Sequence, residues 1–171
     1  MKILANDGIS KAGIEALEAK GFEVISAHVA QEQLENYINE NGIEVLLVRS
    51  ATKVRQPLID ATNLKIIGRG GVGMDNIDVA YAREKGIKVI NTPASSSQSV
   101  AEFVIAHLFS IVRNLHQANR NMPLEGDSNF NGLKKAYAKA IELRGKTMGV
   151  IGFGRIGVEV IREAIGLGMN I

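Results

Sequence analysis

Short apolar, β-branched runs alternate along the chain with stretches whose apolar positions recur at helical spacing, a pattern that predicts βαβ units on a parallel sheet. Strands are expected over 2–5, 23–26, 44–48, 64–68 and 88–91. Between them, 10–20 reads as a helix with Ser10 at its N-cap and Gly21 just past its end, and 79–85 as a helix stopped by Gly86. After Pro93 the period changes. The run SVAEFVIAHLFSIVRNLHQANRN opens with Ser99 and carries Glu102 three residues later, the pattern of a capping box. Its stripe of Val100, Phe103, Val104, Leu108, Ile111 and Leu115 predicts one long helix bridging two domains. Residues 123–132 are polar and turn-rich, 133–141 are helical in period, and 147–151 read as a sixth strand. A glycine turn and a helix to about Gly166 follow, and 169–171 resemble the start of another strand. The expected division is a first domain over 1–97 and a second over 98–171.

Composition narrows the partner more than the fold. With 171 residues, 46% hydrophobic and 22% charged, the chain can bury one full core and part of a second. A net charge of +2 without a basic tail or stripe argues against a nucleic-acid or membrane partner and for a small molecule. The absence of cysteine excludes disulfides and thiolate chemistry. The N-terminal MKILANDGIS is too short an apolar run for a secretory signal, and no stretch nears the ~20 residues of a membrane span, so a cytoplasmic location is expected.

Two constellations carry chemistry. Gly152, Gly154 and Gly157 fit G-x-G-x-x-G, with a predicted strand before the motif and a helix opening within it. In the dinucleotide reading the first glycine makes the tight turn, the second admits a pyrophosphate and the third lets helix pack on strand, with helix amides facing the phosphates. The alternative is a plain tight turn. The acid expected ~20 residues further on, which would distinguish the two nicotinamide dinucleotides, falls past Ile171.

The second constellation lies at the carboxyl ends of three predicted strands, where open α/β sheets bind ligands. Arg49 and Ser50 end the third, Arg69 with Gly70, Gly71 and Gly73 ends the fourth, and NTPASSS ends the fifth. Two guanidiniums with hydroxyl donors suit a carboxylate or phosphate, and the glycine amides are free to converge as an anion nest. Against this stand surface ion pairs of the arginines, with Asp75 or Asp78 for example. A phosphoacceptor receiver domain is disfavoured, because Arg49 stands where that fold needs an aspartate.

These residues resemble the D-isomer-specific 2-hydroxyacid dehydrogenase family. The resemblance covers essentially the whole chain and rests on VRSATKV, IIGRGGVGMDNIDVAYAREKGIKVINTP, SVAE and LRGKTMGVIGFGRIG. It implies a flavodoxin-like parallel-sheet substrate domain, followed by the first βα unit of a Rossmann domain that binds NAD. By resemblance, Arg49, Ser50, Arg69, Gly70, Gly71, Val72 and Ser96 contact a phosphorylated 2-hydroxy acid. Val72, Gly152, Gly154, Arg155, Ile156 and Gly157 contact the dinucleotide. The pair VRS and GRGG is similar to members that oxidise 3-phosphoglycerate on the route to serine, rather than to those using glyoxylate or lactate; another 2-hydroxyacid dehydrogenase, such as a hydroxypyruvate or glyoxylate reductase, is the alternative within the family. A non-catalytic dinucleotide-sensing module on the same scaffold is the other alternative. Ser96 departs from the asparagine those members carry there, which weakens or changes one substrate contact. Homodimers or larger homo-oligomers are expected by the same analogy, with the region past about Gly145 covered by a partner or by further chain.

No catalytic residue and no metal ligand set is expected within the chain. Hydride transfer at a secondary alcohol needs a group to take the hydroxyl proton, usually a histidine oriented by a carboxylate. His28 lies in a polar loop, and His107 and His116 lie on the long helix, none with a carboxylate at pairing spacing. Glu102 is assigned to the capping box. In the family the catalytic arginine, acid and histidine come from later in the cofactor domain, so residues 1–171 alone are expected to be inactive.

Overall fold

The computed structural model describes residues 1–171, which form two compact units, Met1–Ser95 and Ser96–Ile171. The first is a parallel sheet of β1 (Lys2–Ala5), β2 (Glu23–Ile25), β3 (Val45–Val48), β4 (Ile66–Arg69) and β5 (Lys88–Asn91), ordered β2-β1-β3-β4-β5. Its helices are α1 (Lys11–Glu18), α2 (Leu34–Asn41), α3 (Gln56–Asp60) and α4 (Val79–Glu84). Each expected strand is present, with ends moved by one or two residues where pairing stops. The Ser10 hydroxyl accepts from the Gly13 amide at 3.2 Å, the N-cap that its sequence position implies. Leu4, Leu46 and Ile67 from the three central strands are fully buried, against Leu34 and Ile38 of α2 and Leu58 and Ile59 of α3. Each such side chain contributes roughly 1.5–3 kcal/mol. The strand order is the flavodoxin-like one, whose direction of winding reverses between β1 and β3 and opens a crevice at the strands' carboxyl ends.

The second unit is helical: α5 (Ser97–Val112), α6 (Leu115–Tyr137) and α7 (Arg155–Gly166). Leu143, Ala164 and Met169 form its small core, packed by Leu108, Phe109, Val112 and Met148. Three expectations need correction here. The long helix is broken, because Asn114 adopts a left-handed conformation (φ 55, ψ 31) and turns the chain between α5 and α6. The capping box does not form. Ser99 is already inside α5, whose N-cap is Ser96, and the Glu102 carboxylate instead accepts from Gln98 Nε2 at 3.1 Å. The segment 123–132 is helical rather than a loop, interrupted at Asn129 (φ −135, ψ 30). There the chain doubles back: Asn121 Nδ2 donates to the Tyr137 hydroxyl at 2.9 Å, whereas a straight helix would set residues sixteen apart on the order of 24 Å from one another.

The expected sixth strand is also absent. A single parallel bridge, Thr147 with Asn170, is all the pairing that 147–151 obtain, and no other strand of this unit lies beside them to extend a ladder. Ile151 and Phe153 are consequently exposed. No helix is long and apolar enough to cross a membrane.

Candidate functional site

In the first unit, parallel register sets Val48 opposite Arg69 and Arg69 opposite Asn91, so the ends of β3, β4 and β5 form one rim. A cavity of about 720 Å³ opens there, lined by Asp7, Arg49, Arg69, Gly70 and Thr92 over an apolar floor that includes Leu47 and Ile90. The structure therefore brings Arg49 and Arg69 together. Neither guanidinium has an acidic partner: the acid suggested for them, Asp78, pairs with Arg55 at 2.8 Å, and Asp75 makes no ion pair. Arg69 Nε instead donates to the Arg49 carbonyl at 3.3 Å.

The glycines after β4 do not form an anion nest. The Gly70 amide donates to the Val48 carbonyl at 2.8 Å and the Gly71 amide to the Arg69 carbonyl at 3.0 Å, so both are spent on the backbone. Gly71 serves differently. Its φ of +154 and missing side chain let the Arg69 guanidinium lie over it, with Nη1 only 1.9 Å from where a Cβ would be. The Gly71 carbonyl accepts from the Thr92 amide at 3.1 Å and the Val72 carbonyl from Asn91 Nδ2 at 2.7 Å, tying this loop to the end of β5. Val72 is half-exposed beside it.

Sequence reasoning overlooked the residues that hold the Arg49 loop. Asp7, just past β1, accepts from the Arg49 amide at 2.6 Å, from the Thr52 amide at 3.1 Å and from the Thr52 hydroxyl at 2.6 Å. Partial burial pushes its carboxyl up. The bonds from the Thr52 hydroxyl and from the Arg49, Thr52 and Ala51 amides outweigh this and hold it below its ordinary 3.8. Buried Asn76 donates to the carbonyls of Arg49 and Thr52 at 2.9 and 2.7 Å. Asp7 was detectable by the rule that singled out the arginines, since it too follows the carboxyl end of a strand.

In the second unit the glycine turn has the backbone that a dinucleotide phosphate requires. Gly152 takes φ +107 at the turn, open space surrounds the Gly154 Cα, and a Cβ on Gly157 would meet the Gly152 carbonyl oxygen at 2.2 Å. Gly154 is the N-cap of α7, and Arg155 and Ile156 begin that helix. The unpaired amides and positive dipole end of such a helix suit phosphate. These residues fit a dinucleotide pyrophosphate. Ser96, the remaining expected substrate contact, is the N-cap of α5 in this unit.

Of the histidines, His28 Nδ1 lies 3.4 Å from the Asn6 carbonyl and His107 packs edge-on against Phe103, with ring centroids 4.3 Å apart. No group of three or more His, Asp or Glu residues has the arrangement of a metal site.

Comparison with known proteins gives these features a context. The family described as D-isomer specific 2-hydroxyacid dehydrogenase, catalytic domain, matches residues 3–162. A hydroxypyruvate reductase of Thermotoga maritima is 44% identical over 172 residues, covering 99% of this chain and 54% of the relative. A D-3-phosphoglycerate dehydrogenase of Methanocaldococcus jannaschii is also 44% identical over 172 residues, covering all of this chain and 31% of the relative. The chain thus spans between about a third and about a half of the relatives it matches. Among solved structures, the TT0316 protein of Thermus thermophilus superposes with a TM-score of 0.81 at 26% identity, covering 99% of this chain and 54% of that one. A Staphylococcus aureus NAD-dependent formate dehydrogenase in complex with NAD superposes with a TM-score of 0.75 at 28% identity, covering 99% and 54%.

Proposed function

Because the chain belongs to the D-isomer specific 2-hydroxyacid dehydrogenase family, we propose that the whole protein oxidises 3-phosphoglycerate to 3-phosphohydroxypyruvate with NAD, the first step of serine synthesis. The observation that carries this reading is the pair of guanidiniums, free of acidic partners, on neighbouring strand ends in one cavity. Arg49 and Arg69 bind the phosphate and carboxylate of the substrate, groups that guanidinium matches bidentately. Ser50, Val72 and the 70–71 backbone border the bound acid. Leu47 and Ile90 keep the cavity floor apolar, which strengthens the charge interactions above it. The amides opening α7, with Arg155 and Ile156, hold the dinucleotide pyrophosphate at the turn. The nicotinamide, when bound, supplies the hydride acceptor for the alcohol carbon. A homodimer or larger homo-oligomer and a cytoplasmic location belong to the same reading.

A second reading, reduction of hydroxypyruvate or another unphosphorylated 2-oxo acid, is favoured by the 44% identity to a hydroxypyruvate reductase. Paired kinetics decide between them. For a phosphorylated substrate, the double variant Arg49→Ala/Arg69→Ala should lower kcat/KM at least about tenfold more for 3-phosphoglycerate than for glycerate. Equal losses on both, or no NAD reduction with 3-phosphoglycerate by the wild-type protein, would overturn the phosphorylated substrate.

A further inference from the structure

We infer that Asp7 and Asn76 are positioning residues that clamp the two faces of the Arg49 peptide, so that Arg49 and Arg69 reach an oxyanion ligand as a preset pair. The inference rests on the anion-site reading of the cavity given above. On one face, Asp7 Oδ2 accepts from the amides of Arg49 and Thr52 while Oδ1 accepts the Thr52 hydroxyl. On the other, both protons of Asn76 Nδ2 are used, one on the Arg49 carbonyl and one on the Thr52 carbonyl. The loop from Arg49 to Thr52 is thus held at amide and carbonyl at both its ends. Arg69 joins the arrangement through the same Arg49 carbonyl. A deeper layer holds Thr52 from behind: buried Asn6 donates to its hydroxyl oxygen at 2.8 Å and to the Val29 carbonyl at 3.2 Å.

Packing alone does not account for Asp7. Its carboxylate lines the same cavity as the arginines, where a negative charge repels the ligand they are placed to attract. It forms no ion pair with either guanidinium and spends its acceptors on backbone amides and a hydroxyl instead. Charge-assisted bonds to the arginine's own peptide order the loop while leaving the guanidiniums unneutralised. Asn76, 6% exposed and uncharged, performs the matching task on the carbonyl face without adding charge to the cavity.

The two ways in which Asp7 influences an anion predict opposite mutational patterns. A residue acting only through its charge would bind anions more tightly as either alanine or asparagine. A positioning residue loses affinity as alanine and recovers it as asparagine, which keeps a carbonyl acceptor for the two amides.

The test is calorimetric titration of the full-length protein with 3-phosphoglycerate and, separately, inorganic phosphate. Asp7→Ala and Asn76→Ala should each weaken binding about tenfold or more, and Asp7→Asn should stay within about threefold of wild type. Added to Arg49→Ala, Asp7→Ala should cost less than about twofold further, because its effect passes through that arginine. An undiminished loss in the Arg49→Ala background, or tighter binding by Asp7→Ala, overturns the clamp and leaves the anion site standing. Absence of saturable binding of either anion by the wild-type protein overturns the anion-site reading itself. In ligand-free wild-type protein, the Arg49 and Thr52 amide resonances should titrate together with the Asp7 carboxyl. Independent titration refutes the clamp whatever the ligand, and decides the matter if Asp7→Ala fails to fold.

Discussion

Alanine at position 157 would carry its Cβ to 2.2 Å from the carbonyl oxygen of Gly152 and 3.3 Å from that residue's carbonyl carbon, more than 1 Å inside ordinary contact. The obstructing atom is backbone, fixed by the tight turn at Gly152, and cannot rotate away as a side chain would. Overpacking of this kind costs about 1–3 kcal/mol. Alanine returns at most about 1 kcal/mol through helix propensity, since the site lies in the first turn of α7. The net expectation for Gly157→Ala is a loss of about 1–2 kcal/mol, or about 2–8 °C in melting temperature for a chain of this size. Circular dichroism at helical wavelengths, followed through a thermal melt, reads it directly. Gly166→Ala is the internal control: it lies in the same helix with no heavy atom near its Cβ position, and should melt no lower than wild type. Gly154→Ala completes the series. Its Cβ also enters open space, so the melt should not move, yet titration with NAD should show binding weakened by about tenfold or more where the pyrophosphate must approach. Wild-type melting by Gly157→Ala would refute the close-packing argument. Wild-type NAD affinity in Gly154→Ala would refute the assignment of the turn to a dinucleotide.

Two further changes address the first unit. Gly71→Ala sets a Cβ 1.9 Å from Arg69 Nη1 at a φ of +154, so the guanidinium must leave its place. Calorimetry should show an anion affinity reduced about as far as in Arg69→Ala, at least about tenfold, and a wild-type affinity would show that the arginine's resting position is immaterial. The Asp7 carboxyl is lowered below 3.8 in the folded chain, so its contribution to stability is fully present above that value and is lost as pH falls through the lower folded value. Glu44, Asp60 and Asp78 shift in the same direction, each chiefly through a hydrogen bond from a basic side chain. The difference between wild type and Asp7→Asn isolates the one group: urea midpoints of the two should converge below about pH 4, and a constant gap down to pH 2 would contradict the linkage.

What the sequence made legible is what local physics decides. Strands such as VLLV at 45–48 are buried on both faces of a parallel sheet and read as unbroken apolar runs, so their existence needed no tertiary information. Ser10 capped α1 because one residue supplies the whole cap. Features that depend on competition between neighbours were not legible. Ser99 and Glu102 have capping-box spacing, but the helix starts earlier, at Ser97, and Gln98 takes the glutamate. Polar 123–132 looked like a loop because its charged and amide residues read as solvated. An exposed helix is equally solvated, and Gly132 gives the Asn129 side chain room at the kink. The apolar run at 147–151 has strand composition, yet a strand exists only by pairing, and one bridge is what it finds. The glycine run after β4 predicts free amide donors, but the Gly70 amide continues the ladder to the Val48 carbonyl and the Gly71 amide turns back onto the Arg69 carbonyl.

The same competition explains why the arginines are informative. Two guanidiniums brought to adjacent strand ends repel each other, and in most surface settings nearby carboxylates relieve that cost. Here Asp78 binds the Arg55 guanidinium and accepts from the Gln56 amide, Asp7 accepts from backbone amides and a hydroxyl, and Asp75 pairs with neither arginine. The folded chain therefore leaves both guanidiniums without an ion-pair partner. On the anion-site reading, a ligand oxyanion that enters meets both cations without having to displace an internal partner, against the repulsion of the Asp7 carboxylate, and the site needs little reorganisation to receive it. On the anion-site reading proposed above, this arrangement would favour a doubly anionic acid over a monocarboxylate, because only the former can engage both guanidiniums with separate charged groups.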